Sequence, residues 1–222
     1  MKLRRVTYCL LIGVTLTSVV ACATLQYGRS QQPVAPVEPS DTADENNHRT
    51  RPATKIVTVN LEGQATQMEL HLFHQDVLPF TTYYPVTGFT PEVSQSAQAT
   101  IVQFYFSPTG TKDDEAYISV FMPSRSVSTQ AMQDLILGEQ GLLVDNEWEL
   151  VDRTDIVSYP WATEKLIYQH IDQAEMTVGS IYIGQEAGYT FYIVTHYPVE
   201  YGDGFEPRSS IVLENLQFET EN

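Results

Sequence analysis

Cysteine is nearly missing from this chain: among 222 residues only Cys9 and Cys22 occur, both close to the start. Beyond residue 22 there is no disulfide, no thiol nucleophile and no cysteine metal site. Cations are scarce too, with 12 Lys and Arg against 28 Asp and Glu, a formal charge of −16. Such a balance repels phosphate backbones and argues against nucleic acid as a partner, while cations or a basic protein face suit it. The chain also lacks HExxH, GxSxG, SxxK and a phosphate loop, which takes the familiar catalytic readings away. Its apolar runs fall short of the roughly 20 residues that a spanning helix needs.

What is present begins with MKLRRVTYCLLIGVTLTSVVACA, residues 1–23. Lys2, Arg4 and Arg5 precede an apolar run from Val6 to Val20, the pattern of an export signal. The run ends in Val19-Val20-Ala21-Cys22, which resembles the lipobox of bacterial lipoproteins. The resemblance implies a diacylglycerol on the Cys22 thiol, cleavage after Ala21 and an acylated new amino terminus. Losing the three leader cations takes the formal charge from −16 to −19. Two or three acyl chains, at about 0.8 kcal/mol per buried CH₂, would hold the protein at a bilayer surface. The expected location is therefore extracytoplasmic and lipid-anchored. Ala23 after the cysteine favours the outer membrane in a two-membrane bacterium, by the rule of that family.

Residues 22–53 carry the lipidated cysteine and then a proline-rich, polar, acidic stretch without apolar periodicity, which reads as a disordered tether. Residues 54–222 read as a single α+β domain. Ile56 to Asn60 and Met68 to Phe73 form a hairpin around Glu62-Gly63-Gln64, wet on one face. Phe80 to Tyr84 is a third strand. Ala99 to Phe106 and Tyr117 to Met122 are apolar on both faces, which predicts the middle of a covered sheet. Ser126 to Leu137 turns helical, with Ser126 or Ser128 as the cap and Gly138 as the stop. Leu142 to Val151 is ambiguous. Ala162 to Ile171 is a strand, Thr177 to Tyr197 a second hairpin, and Pro207 reads as the first residue of a final helix through Leu216.

That order, strands, helix, three strands, helix, predicts an antiparallel β-sheet flanked by helices. Over Lys55 to Phe218 it resembles the Mog1/PsbP-like sandwich. Tyr189 to Arg208, YTFYIVTHYPVEYGDGFEPR, is similar to the endings of uncharacterised bacterial lipoproteins. The resemblance implies non-enzymatic work, binding other proteins or assisting assembly of membrane complexes, and carries over no functional residue.

Three Tyr-Pro pairs, Tyr84-Pro85, Tyr159-Pro160-Trp161 and Tyr197-Pro198, mark strand ends. If those ends share one side of the sheet, Tyr84, Tyr159, Trp161, Tyr197 and Tyr201 gather near Glu200, Asp203 and Arg208. Aromatic faces beside a few polar anchors suit a glycan or an extended peptide. The plainer account is that proline ends the strands, tyrosine closes the core, and Asp203 and Arg208 position the last helix. Asp113-Asp114-Glu115 offers carboxylates to Ca²⁺ but lacks the DxDxDG ladder, and a solvated acidic turn is the better account. No other cofactor is expected. His71 and His74 fall on opposite faces of a strand, whereas His170 and His196 can approach each other.

Two classes of function follow. The first is a lipid-anchored, monomeric binding or assembly protein of the cell envelope, non-enzymatic, with an envelope protein as partner. The alternative is an envelope hydrolase or glycan-processing enzyme using Glu200 and Asp203 as acid and base.

Overall fold

The computed structural model of the chain describes residues 51–61, 63–172 and 175–219; the leader, Cys22 and the tether as far as Thr50 lie outside the described residues. β1 (Thr54–Leu61) and β2 (Gln64–Phe73) pair antiparallel through a turn in which Gly63 takes φ +80, a left-handed conformation that glycine adopts without strain. β3 (Phe80–Pro85) follows β2, and the sheet is completed from the far end of the chain by β11 (Gln217–Phe218), in the order β1-β2-β3-β11. Met68 and Leu70 are buried while Glu69 between them is exposed, so alternation sets the register. Arg51 to Ala53 already touch this sheet. The Arg51 guanidinium and the Lys55 ammonium both lie over the Tyr83 ring, at 4.4 and 4.1 Å. Arg51 also donates to Thr81 Oγ1 at 2.8 Å, and the Tyr83 hydroxyl donates to the Pro52 carbonyl at 2.7 Å.

A second, seven-stranded antiparallel sheet runs β4-β5-β6-β10-β9-β8-β7. Its strands are β4 (Phe89–Gln95), β5 (Ala99–Phe106), β6 (Asp113–Pro123), β7 (Glu149–Thr154), β8 (Ala162–Asp172), β9 (Glu175–Glu186) and β10 (Tyr189–Pro198). β10 is central, and its residues from Thr190 to Tyr197 are all buried, as its two apolar faces require. Phe191 and Ile193 share a buried cluster with Phe73 and Phe80 of the smaller sheet and with Phe205, Val212 and Leu213 of α3 (Gly202–Glu214). Tyr192 and Val194, alternating with them, share another with Met132 and Ile136 of α1 (Thr129–Leu137) and Leu143 of α2 (Leu142–Asp145). Each large side chain so buried contributes about 1.5–3 kcal/mol. The molecule is thus α+β, mostly antiparallel strand with few helices. Among the described residues no helix is long and apolar enough to cross a membrane.

Three elements differ from the sequence expectation or add to it. Leu142 to Val151 divides into α2 and the edge strand β7. Phe89–Gln95, too polar to announce itself, is the opposite edge strand, where Pro91 costs no ladder bond that the sheet interior needs. The last helix begins at Gly202, five residues before Pro207. Fully buried Phe205 explains this: its ring packs on Phe89, Phe106 and Tyr197 at 5.7, 5.5 and 4.5 Å and draws the first turn onto the core. Tertiary packing here outweighs the poor helix propensity of Gly-Asp-Gly and Pro. At the other helix, Ser128 is the cap, its Oγ accepting from the Ala131 N–H at 3.1 Å.

Candidate functional site

Two recesses flank the beginning of α3. The first lies between that helix and β8, β9 and β10. Register places Lys165, Tyr182 and Ile193 in one row across these strands and Ile167, Ser180 and Thr195 in the next. Glu206, Ser209, Ser210 and Leu213 come down from α3, and residues 154–159 form a wall, enclosing a cavity of about 380 Å³. Tyr159 and Tyr197, from two of the Tyr-Pro pairs, line it. Trp161 does not; it is 3 % exposed, stacks on Tyr159 at 5.2 Å with the rings 2° from parallel, and donates its Nε1–H to the Leu213 carbonyl at 3.1 Å. Trp161 therefore holds Tyr159 in place from below and ties the wall to α3.

The chemistry of this cavity is hydroxyl-rich and balanced in charge. The Tyr197 hydroxyl donates to Oε1 of Glu206 in a short contact, and the Tyr197 ring is stacked on Phe205. Burial pushes the Tyr159 hydroxyl up to about 12. Burial, then the Glu206 carboxylate, pushes Tyr197 further up, and burial raises Tyr182 as well. All three phenols are thereby held neutral, able to donate and to accept. Thr195 Oγ1 accepts from the Ser180 N–H at 3.0 Å. Lys165 brings its ammonium to 5.5 Å from the Tyr182 ring centre. Among the described residues no carboxylate lies within ion-pair distance of Lys165. None of these hydroxyls is paired with a histidine, and the carboxylate among them, Glu206, accepts from Tyr197.

The second recess, about 480 Å³, opens on the other side of the first turn of α3 and is lined by Phe106, Asp113, Glu200, Tyr201, Asp203 and Gly204 with the 108–111 loop. Tyr201 packs on Phe106 at 5.8 Å, and its hydroxyl is bonded to Asp113, which pushes the phenol up. Asp113 also accepts the Glu115 N–H at 2.9 Å, while Asp114 pairs with Lys112 at 3.2 Å and Lys112 reaches Glu92 at 3.1 Å. Asp113 and Asp114 thus turn to different partners. Among the described residues no three imidazole, thiol or carboxylate groups converge in a way that would hold a metal ion.

The remaining members of the expected rim lie elsewhere. Arg208 sits beneath the second recess, its Nη1–H donating to the Gly204 carbonyl at 2.6 Å and its carbon chain filling the space that Gly88 leaves open. Tyr84 packs on Phe104 at 5.7 Å and meets His71 edge to face, and it lines neither recess. The aromatic rim is therefore divided: Tyr159 and Tyr197 in one recess, Glu200, Tyr201 and Asp203 in the other, joined through Tyr197, Phe205 and Phe106.

Lys165, Tyr182, Ser180 and Glu206 were not singled out by the sequence. Lys165 carried a weak signal, a cation amid the apolar run of a covered strand. On the opposite face of the large sheet, His196 is 5 % exposed, stacked between Tyr117 and Trp148 at 5.1 Å each, with the Tyr168 hydroxyl 2.9 Å from its Nδ1. Trp148 reaches it because Glu147 takes φ +58 and turns the chain back over Tyr168, stacked at 4.1 Å. Gly179 lies between Tyr168 and His196 in register, and its missing side chain is what lets the Tyr168 ring cross. Comparison of the chain with protein-family models and with curated proteins finds no match.

Proposed function

We propose that this is a lipid-anchored, non-enzymatic binding protein of the cell envelope, held to the membrane through Cys22 and receiving a group of its ligand or envelope partner in the cavity beneath α3. The carrying observation is that cavity: about 380 Å³, lined by neutral phenols and hydroxyls, one ammonium and one carboxylate. Helices on both faces of an antiparallel sheet support placing the domain among Mog1/PsbP-like sandwiches, proteins of which the resemblance implies binding and assembly work. The small residue before Cys22 and the basic leader support the anchor, and Ala23 supports the outer membrane.

Membrane fractionation with fatty-acid labelling tests the anchor: the wild-type chain should carry label and sediment with membranes, and Cys22→Ala should do neither. Co-purification from gently solubilised membranes tests the site. A stoichiometric partner retained by the wild type and lost by Lys165→Ala or Tyr159→Ala supports the reading; one retained equally by all three removes the cavity from it.

A second reading, a hydrolase acting through Glu200 and Asp203, draws on their meeting with Asp113 around one recess. It requires turnover of an envelope glycan that Glu200→Ala or Asp203→Ala abolishes.

A further inference from the structure

We infer that the cavity beneath α3 is a saccharide site that takes one or two neutral sugar rings; the inference rests on the binding reading above and names its ligand. Lys165 and Glu206 cancel, so the lining has no net charge within a chain of −16. A phosphate or other anion would meet a single ammonium, a carboxylate in the same cavity, and a surrounding field of its own sign. An apolar ligand would press hydrocarbon against the Lys165 ammonium and the Glu206 carboxylate and strip their water. A polyol satisfies all these groups together, because each sugar hydroxyl both donates and accepts: it can accept from Lys165 and donate to the free oxygen of Glu206.

Ring geometry agrees. Trp161 stacks on one face of the half-buried Tyr159, and the C–H face of a pyranose packs on the other, with the Tyr182 ring set at 73° beside it. Trp161 behind Tyr159 keeps that geometry before any ligand arrives. The volume lies at the small end of ligand pockets, in keeping with a mono- or disaccharide unit.

The test is calorimetric titration of the full lipidated protein in detergent micelles with chitobiose, cellobiose and maltose, beside glycine, glutamate and inorganic phosphate. At least one disaccharide should bind with a Kd of about 1 mM or tighter. Lys165→Met and Glu206→Gln should each weaken it by about tenfold or more, as expected for losing a hydrogen bond to a charged group. Tyr159→Phe, which keeps the ring, should weaken it less, and Glu139→Gln, exposed just after α1, should leave it unchanged. Melting curves accompany each variant, so that loss of binding is scored only in a folded protein. If glycine, glutamate or phosphate binds instead and the same variants abolish it, the saccharide assignment falls and the binding reading stands. If no probe binds and the cavity variants retain the membrane partner as the wild type does, both fall.

Discussion

Burial holds the His196 imidazole at about 4, below its ordinary 6.5, with the nearby His170 adding to the effect. In the folded protein it is neutral, against the rings of Tyr117 and Trp148 and the hydroxyl of Tyr168; in the unfolded chain it takes a proton below about 6.5. The unfolded state then binds more protons, so its contribution to stability is complete above pH 6.5 and is lost as pH falls toward 4. The loss at pH 4.5 should be about 2–3 kcal/mol. Denaturant melts at pH 7.5 and 4.5 check this: His196→Gln should show a shallower fall than the wild type, and parallel falls would overturn it. Beside it, Gly179→Ala should destabilise by about 3 kcal/mol or more, since a Cβ there would stand 1.9 Å from the Thr195 carbonyl and 2.5 Å from the Tyr168 hydroxyl. Thermal unfolding of the purified variant decides it. The approach of His170 to His196 was legible in the sequence, because both sit near strand ends. The Trp148 cover was not, since the left-handed turn that swings it inward falls on Glu147, where no glycine signals it.

Among the elements, α1 shows how a local signal becomes a measurable contribution. Its first turn is closed by the Ser128 hydroxyl, and Ser128→Ala should lower stability by about 1 kcal/mol, read as a shift in the denaturation midpoint without a change in slope. An unchanged midpoint would mean that packing of Met132 and Ile136 alone fixes the helix. The same local chemistry made both hairpins readable, through Gly63 and Gly188 at positive φ in their turns. It failed for the first turn of α3, where the sequence pattern starts the helix only at Pro207; the long-range seat of Phe205 carries the helix back to Gly202. It failed also for the cavity. Tyr197 and Glu206 meet only because β10 runs directly into α3, and Lys165 joins them through strand register, neither of which the local pattern encodes.

For the molecule as a whole, a charge of −16 means that folding gathers like charges, and salt should relieve it. Between about 0.01 and about 1 M sodium chloride the screening length falls from about 30 to about 3 Å, and the melting temperature should rise. A flat or falling curve would show that local ion pairs, such as Arg153 with buried Glu164, outweigh the general repulsion. Composition made this charge and the absence of disulfides beyond Cys22 legible, because they are sums over residues, and the order of periodic segments made the α+β class legible; the division of the aromatic rim into two recesses depends on where each strand ends in space. The grip of Arg51 and Lys55 on the Tyr83 ring has a mechanical meaning. Tension travelling along the chain from residue 50 is delivered through that clasp and the Arg51–Thr81 bond into β3, an inner strand, as well as into the edge strand β1. A pull on the chain ahead of Arg51 is thus shared between two strands at the point where peeling would start.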